Sequence, residues 1–149
     1  MELILWRHAE AEDGLNDLAR ELTPKGRKQA AKMAAWLNAR LPDECGILSS
    51  PAVRALQTAQ ALNRKIETLQ ELAPGASVAA ILKAAGWPDD DGCVLIAGHQ
   101  PDLGAVAAHL MGARGSLSVR KAGAWWFSSR GRGPGNEVTL RAVIAPDLL

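Results

Sequence analysis

The sequence of 149 residues has little net charge and no long apolar run. Its 17 Lys and Arg against 16 Asp and Glu leave a formal charge of +1, so the electrostatic footprint of a nucleic-acid-binding protein is missing. The apolar runs are only a handful of residues long, and an acidic residue, Glu2, stands where an export signal would have a basic region. We therefore expect no nucleic-acid partner, no membrane partner and a cytoplasmic location.

Cysteine and histidine are also too few, or too far apart, for the common metal sites. Cys45 and Cys93 show no CxxC spacing, and the histidines, His8, His99 and His109, show no HExxH or HxH spacing. The GxGxxG, GxxxxGK[ST] and GxSxG motifs of dinucleotide sites, P-loops and serine hydrolases are absent as well. We expect the cysteines to be buried or inert thiols in a reducing cytoplasm, and we expect no metal and no cofactor.

The composition is that of a folded protein, with 48% of residues hydrophobic and 22% charged. The length favours a single domain over residues 1–149, large enough to bury about 70% of the surface that the unfolded chain exposes. The sequence has no internal repeat, and the glycine-rich segment 131–136 is interpreted as a turn rather than a linker between domains.

Short apolar runs alternate with helical patterns, which is typical of an α/β fold with a largely parallel sheet. The runs without polar alternation, as expected of strands covered on both faces, are residues 3–6, 46–49 and 93–97. Helices with proline at their first position are predicted after Thr23, Ser50 and Gln100. A further short helix is predicted over residues 78–85, between Ser77 and Gly86.

The C-terminal part of the sequence has a different pattern. Residues 122–128 and 137–144 flank the glycine-rich turn as the two arms of a hairpin. Trp125 and Trp126 are neighbours on the first arm, so they face opposite sides, and only one of them can be buried in a two-layer environment. The sequence therefore predicts a three-layer sandwich with helices on both faces of a mostly parallel sheet and a hairpin at its edge. We expect a monomer or a weak dimer.

Polar residues follow directly after the predicted strands. Arg7 and His8 follow the first run, Arg54 lies in the first turn of the helix after the second, and His99 follows the third. Each alone is usually a structural or surface residue, but ligands bind at the carboxyl ends of parallel strands, where these four converge. Arg54 lies where the helix dipole disfavours a cation by roughly 0.3–1 kcal/mol, a conflict that a bound anion removes. His109 lies on the polar side of its helix and is interpreted as a surface residue.

Five blocks follow one another along almost the whole chain. They are residues 5–12 (LWRHAEAE), 20–26 (RELTPKG), 49–59 (SSPAVRALQTA), 98–103 (GHQPDL) and 121–124 (KAGA). In this order and at this spacing they resemble the histidine phosphatase superfamily, whose N-terminal signature is Arg-His-Gly. Within it, they are similar to the small bacterial phosphohistidine phosphatases of SixA type, which have a phosphoglycerate mutase-like fold.

The resemblance implies that His8 is the nucleophile and that Arg7, Arg54 and His99 bind the phosphoryl oxygens. Negative charge on a transferring phosphoryl group is spread over three oxygens, so fixed cationic donors stabilise it without a metal. The nucleophilic imidazole must be neutral, with an acceptor on its other nitrogen. The expected course is a covalent phosphohistidine on the enzyme, followed by hydrolysis. Ala9 replaces the usual glycine after the nucleophile and would be strained if that position required a positive φ.

The sequence does not single out a general acid. The candidates are Glu10, Glu12, Asp13, Asp17 and Glu71. Of these, we choose Glu71 as the candidate general acid. A phosphohistidine expels an imidazole, which leaves more readily than an alkoxide, so the lack of a clear acid favours phosphohistidine as the substrate. Arg20 is interpreted either as a substrate contact or as an anchor of its loop.

We therefore expect a cofactor-independent phosphatase that acts on phosphohistidine in a phosphorelay or phosphotransfer protein. The connections between elements are short, so the pocket should be open enough for a side chain on a protein. Two alternatives stay open. One is a phosphomonoesterase that acts on a small phosphate ester by the same mechanism. The other is a non-catalytic phosphate-binding module, which Ala9 and the missing acid would explain.

Overall fold

The structure of the protein, a computed structural model, describes residues 1–131 and 135–149. The strands are β1 (Glu2–Arg7), β2 (Gly46–Ser49), β3 (Ile66–Thr68), β4 (Cys93–Gly98), β5 (Ala124–Arg130) and β6 (Glu137–Ile144). The helices are α1 (Pro24–Asn38), α2 (Val53–Gln60), α3 (Val78–Ala85) and α4 (Asp102–Leu110). Short 3-10 turns cover Asp17–Ala19, Gln70–Leu72 and Pro146–Leu148. Residues 132–134 of the predicted glycine-rich turn lie outside the described residues.

The six strands form one sheet in the order β3-β2-β4-β1-β5-β6. β1 pairs in parallel with β4, and β2 pairs in parallel with both β4 and β3. β5 and β6 are antiparallel and form the hairpin at the edge, with β5 beside β1. The prediction of an α/β fold with a mostly parallel sheet and a C-terminal hairpin is confirmed. The pattern does not predict β3, because three residues, one of them charged, are too short a signal.

Helices cover both faces of the sheet, so apolar side chains form two cores. α1 and α2 pack on one face, where Met33 of α1 is fully buried. α3 and α4 pack on the other face, where Ile81 and Leu103 are buried. Trp126 is buried in the first core, whereas Trp125 packs half-buried against the second. The two tryptophans thus face opposite sides of β5, as the sequence predicts.

Two of the helices begin as their capping residues predict. Thr23 Oγ1 accepts a hydrogen bond from the N–H of Gly26 (2.9 Å), and Pro24 fills the first position of α1. α3 begins after Ser77 and ends at Gly86, which has a left-handed conformation. α1, with 15 residues, is the longest helix among the described residues. None of the helices in that part of the chain is long and apolar enough to cross a membrane.

The other two proline-associated helices begin later than the sequence predicts. α2 begins at Val53, two residues after the proline, because Ser50 Oγ accepts the N–H of Ala52 (3.1 Å) in a bend that precedes the helix. α4 begins at Asp102, after a cis peptide bond to Pro101. The bend at Ser50 leaves its hydroxyl group outside the helix, where it can contact another side chain.

The two cysteines form a disulfide, so the prediction of inert thiols is wrong. Cys45 directly precedes β2, and Cys93 is the first residue of the neighbouring strand β4. Gly46 lies opposite Val94 in the ladder, which places the two cysteines side by side with their Cα atoms 4.6 Å apart. This pairing cannot be predicted from the sequence, because 48 residues separate the cysteines and only the register of the strands places them side by side.

Gly26 allows α1 to contact the segment that follows β1. The N–H of Thr23 donates to the carbonyl oxygen of Glu10 (3.0 Å), and a Cβ atom at Gly26 would overlap the same carbonyl group. Glu10 follows His8 by two residues. The absence of a side chain at Gly26 therefore sets how closely α1 approaches the segment that carries His8.

We expect Gly26→Ala to lower the free energy of unfolding by roughly 1–3 kcal/mol, because the clash with backbone outweighs the gain of about 1 kcal/mol from alanine in a helix. Urea unfolding followed by tryptophan fluorescence measures the change. Gly46→Ala is the matched control, since a Cβ atom there has only ordinary contacts, such as 3.9 Å to Cys93 O. A Gly26→Ala protein as stable as the control would contradict the packing argument.

Candidate active site

The carboxyl ends of three parallel strands meet at one edge of the sheet. Arg7 lies opposite Gly98 in the ladder between β1 and β4, so His8 and His99 follow from neighbouring strand ends. Their ring centroids are 5.3 Å apart. α2 follows β2 and brings Arg54 to the same edge, with its Nε atom 3.3 Å from His8 Nε2. Residues that are far apart in sequence are thus collected in one cluster, as the predicted fold requires.

The backbone and the ring of His8 are both held by hydrogen bonds. The backbone N–H donates to Gly98 O (3.0 Å), and ring Nδ1 bonds to Ala9 O (2.7 Å). A carbonyl oxygen can only accept, so the proton of the neutral ring is on Nδ1 and Nε2 keeps a lone pair. This lone pair accepts the hydrogen bond from Arg54 Nε. Nε2 is therefore the unprotonated ring nitrogen, and attack from it requires Arg54 to release this hydrogen bond.

The surroundings of His8 favour the neutral ring. Burial, together with the charges of Arg54, Arg7 and Arg20, lowers the pKa of His8 to about 4, whereas the hydrogen bond to Ala9 O acts in the opposite direction. Burial is the largest of these causes, because the ring is only 9% exposed. At neutral pH the imidazole therefore has the charge state that a nucleophile needs.

Ala9 fits its position without strain. Its methyl group is fully buried in the first core, and its N–H donates to Thr58 Oγ1 (3.0 Å). Among the described residues other than glycine, positive φ angles occur at Asn63 and Ala122 and not at Ala9. The strain that a positive φ would have imposed on an alanine is therefore not present.

Arg54 is nearly buried and its guanidinium group is held from two sides. Nε faces His8, whereas Nη1 donates to the carbonyl oxygen of Asp17 (2.7 Å) and Nη2 to Asp17 Oδ2 (3.2 Å). Thr58 Oγ1 donates to the carbonyl oxygen of Arg54 (2.7 Å) and fixes this turn of α2 to the segment after β1. Hydrogen bonding from Arg20, reinforced by Arg54, lowers the pKa of Asp17, so this carboxylate is ionised. Asp17 orients Arg54 toward His8.

His99 is buried beside His8 and is held by the serine outside helix α2. His99 Nε2 and Ser50 Oγ form a hydrogen bond of 2.7 Å, and the other nitrogen, Nδ1, is buried without a partner among the described residues. Burial, with the nearby His8 and Arg54, lowers the pKa of His99 to about 3. His99 is therefore neutral and presents an unpaired ring nitrogen beside His8.

Arg7 ends β1 with one part of its guanidinium group fixed and another unpaired. Nη1 donates to Val119 O (2.9 Å), whereas Nε is buried with no partner in the described part of the chain. Burial lowers the pKa of Arg7 from its ordinary value. Buried polar atoms without partners destabilise a protein by about 1–3 kcal/mol each. An oxyanion at this edge of the sheet would supply acceptors for Arg7 and for a donor on His99.

The remaining predicted residues lie outside this cluster. Glu71 is exposed on a 3-10 turn and takes no part in the contacts that join His8 to its neighbours. Glu10 accepts from Thr23 Oγ1 (2.8 Å). Arg20 Nε donates to the carbonyl oxygen of Glu12 (2.8 Å) and Nη1 contacts Asp17 (3.0 Å), so Arg20 anchors its own loop. A role for Glu71 as the acid, and a contact of Arg20 with substrate, stay predictions.

His109, set aside as a surface residue, is exposed on α4.

Sequence reasoning missed the roles of three residues that position the cluster, and it named Asp17 only as a candidate acid. Ser50 bonds to His99, Thr58 joins Ala9 to α2, and Asp17 orients Arg54. Ser50 and Thr58 lie within a block that resembles the family, but their pattern indicates a helix cap and a helix position. Asp17 lies in an acidic loop, where no hydrophobic periodicity indicates which side chains point toward other segments. These roles depend on contacts between segments.

Comparison with known proteins agrees with this geometry. The sequence profile of the histidine phosphatase superfamily (branch 1) matches residues 3–77, about half of the chain. A phosphohistidine phosphatase SixA homolog from Haemophilus influenzae is 33% identical over 134 residues, covering 79% of this chain and 82% of the relative. The phosphohistidine phosphatase SixA of Escherichia coli is 30% identical over 119 residues, covering 74% of each chain.

Solved structures are similar over nearly the whole chain. A phosphohistidine phosphatase SixA structure from Nakamurella multipartita matches with a TM-score of 0.78 and 28% identity, over 97% of this chain and 95% of the other. The protein histidine phosphatase SixA complexed with tungstate shares the fold with a TM-score of 0.82 and 24% identity, over 99% of both chains. The cluster at the strand ends, the sequence match and the shared fold agree, and the chain belongs to the histidine phosphatase superfamily, branch 1.

Proposed function

We propose that this phosphatase hydrolyses phosphohistidine on a protein and that His8 is its nucleophile. The observation that carries the proposal is the ring of His8, which is neutral, with Nε2 unprotonated and facing Arg54. The relatives that are named as phosphohistidine phosphatases support the substrate class. Within residues 1–131 and 135–149, Arg7 and His99 each have a buried nitrogen without a hydrogen-bond partner.

The proposed reaction has two displacements at phosphorus. The lone pair of His8 Nε2 forms a P–N bond while the P–N bond of the substrate breaks, and the departing imidazole keeps that electron pair and takes a proton from solvent. Water then attacks phospho-His8, the lone pair returns to Nε2, and the water loses a proton as inorganic phosphate forms. Arg7, Arg54 and His99 bind the three phosphoryl oxygens, and fixed donors of this kind contribute on the order of 10²–10³ in rate each.

The state of the nearby carboxylate favours an imidazole as the leaving group. Asp17 is the carboxylate that contacts Arg54, and its lowered pKa keeps it ionised, so it is a poor proton donor. An alkyl phosphate needs such a donor for its alkoxide, whereas the imidazole of phosphohistidine leaves without one. The pocket residues thus fit a phosphoramidate better than an alkyl ester.

We propose in addition that residues 1–149 act as a single domain, as a monomer or weak dimer, in the cytoplasm. The phosphorylated protein partner would belong to a phosphorelay or phosphotransfer chain. Cytoplasmic proteins rarely carry stable disulfides. The redox state of Cys45 and Cys93 in the cell is therefore the observation that bears most directly on the location.

We expect labelled phosphate to be trapped on the protein in an acid-labile, alkali-stable bond that maps to His8 by mass spectrometry. His8→Ala should form no adduct and lose activity by at least about 10³-fold, since a covalent route without its nucleophile is closed. His109→Ala is the matched control, because this exposed histidine lies outside the cluster. Turnover that survives in His8→Ala would contradict the mechanism, and an intact protein without any turnover would indicate a phosphate-binding module.

The substrate class is tested by comparing kcat/KM for a phosphohistidine protein with kcat/KM for sugar and nucleotide monophosphates. We expect the phosphohistidine protein to be preferred by at least about 10²-fold, because a missing proton donor costs about 10²–10⁴ in the rate of ester cleavage. A preference for the metabolites would favour the phosphomonoesterase alternative. Inorganic phosphate, as the last product to leave, should inhibit competitively in either case.

The charge state of the site is tested by NMR titration of the ring carbons. Because burial lowers the pKa of both rings, we expect His8 to become protonated only as the pH falls through about 4, and His99 through about 3. The His8→Ala and His99→Ala proteins assign the resonances. Titration of His8 near 6.5, the ordinary value for histidine, would contradict the neutral nucleophile at mildly acidic pH, and titration of His99 near 6.5 would contradict its burial.

A further inference from the structure

A cavity of about 480 Å³ lies beside the active site and is lined by Arg7. Its charged lining residues are Arg7, Glu10, Lys25, Arg120, Lys121 and Asp147. They come from the end of β1, the first turn of α1, the segment before β5 and the turn after β6. The fold therefore brings four separate segments together around this space, which we call the basic cavity.

The basic cavity has an excess of positive charge, with four cations against two carboxylates. Lys121 and Glu10 are 3.8 Å apart, and Arg120 and Asp147 are 4.0 Å apart. Both contacts are long and at least partly exposed, and pairs of this kind hold their partners weakly. The cations of the cavity are therefore available to a ligand with negative charge.

Lys25 adds a cation where the fold itself disfavours one. It lies in the first turn of α1, at the positive end of the helix dipole. Within residues 1–131 and 135–149, no ion pair of Lys25 with a carboxylate is found inside 4 Å. An anion near Lys25 would be stabilised, because this cation lies at the positive end of the helix dipole and has no counter-ion among the described residues.

Arg7 connects the basic cavity to the phosphoryl site. Its guanidinium group is fixed through Val119 O, its Nε atom is buried with no partner among the described residues, and it lines the cavity. The next residue in the chain is His8. A ligand whose phosphoryl group contacts His8 can therefore reach the cavity with a second group. The volume of the cavity lies in the range of small-ligand pockets and exceeds what one phosphoryl group needs.

We propose that the basic cavity binds a second anionic group of the substrate, a carboxylate or a phosphate close to the phosphoryl group that is transferred. This inference rests on the proposed function and adds a specificity element to it: Lys25 and Lys121 select substrates that carry an acidic neighbour beside the phosphorylated group. The four cations outnumber Glu10 and Asp147, so the cavity disfavours a basic neighbour.

The test compares two phosphohistidine peptides that differ only in having glutamate or glutamine on both sides of the phosphorylated residue. We expect the wild-type protein to prefer the glutamate peptide by about tenfold or more in kcat/KM. In Lys25→Gln/Lys121→Gln this preference should fall below about threefold. The ratio of two substrates on one preparation does not depend on the fraction of folded enzyme, so a general loss of structure cannot imitate the result.

The matched control is Lys65→Gln/Lys83→Gln, which removes the same charge at two exposed lysines outside the cavity and should keep the full preference. A second pair of substrates, 2-carboxyethyl phosphate and propyl phosphate, places the acidic group on a small molecule. If the protein prefers the glutamate peptide, the second anionic group belongs to a protein substrate. If it prefers only 2-carboxyethyl phosphate over propyl phosphate, the second anionic group belongs to a metabolite.

Free phosphoramidate, which has no second group, separates failure of this inference from failure of the proposed function. A wild-type protein that hydrolyses phosphoramidate but treats both members of each pair alike would overturn the inference alone. So would a full preference for the glutamate peptide in Lys25→Gln/Lys121→Gln. A protein that hydrolyses neither phosphoramidate nor the peptides would overturn the proposed function itself.

Discussion

The requirement that the His8 ring be neutral among cations governs the arrangement of the site. Burial and the guanidinium groups of Arg54 and Arg7 both disfavour a protonated ring, and the hydrogen bond to Ala9 O is the opposing influence. A carboxylate against the ring would favour its protonated form and occupy its free nitrogen. Asp17, the carboxylate within reach, contacts Arg54 instead. Asp17 thus orients Arg54 and leaves the ring of His8, the proposed nucleophile, without a carboxylate contact.

Holding this site in place requires a rigid support, because several of its features are locally unfavourable. Arg7 and His99 each have a buried nitrogen without a partner in the part of the chain that the structure describes, and Arg54 is a cation at the start of a helix. Conflicts of this kind are typical of functional sites and are offset elsewhere in the fold. Here the support is the ladder between β1 and β4, extended by the hydrogen bond from the His8 backbone to Gly98, and the side chain of Thr58.

Sequence reasoning reaches those parts of the molecule that are encoded locally. Apolar runs predict the buried parallel strands, and the position of Arg54 against its helix dipole indicates an anion site before any contact is known. The disulfide of Cys45 with Cys93 depends on strand register, and the hydrogen bond of Ser50 with His99 depends on a bend that delays α2. Hydrophobic periodicity indicates which residues of one segment are buried. It does not indicate which distant segment packs against them.

The proposed leaving group follows from the same electrostatics that keep His8, the proposed nucleophile, neutral. The charges of Arg54 and Arg20 lower the pKa of both His8 and Asp17, so they favour a neutral imidazole and an ionised carboxylate. In such a site the imidazole nitrogen of His8 is unprotonated, but the nearby carboxyl group of Asp17 is ionised and cannot donate a proton. The site is therefore suited to P–N bonds, whose imidazole departs readily, and poorly suited to alkyl esters. The chemistry of the bond that breaks, more than the shape of the pocket, separates the two enzymatic alternatives.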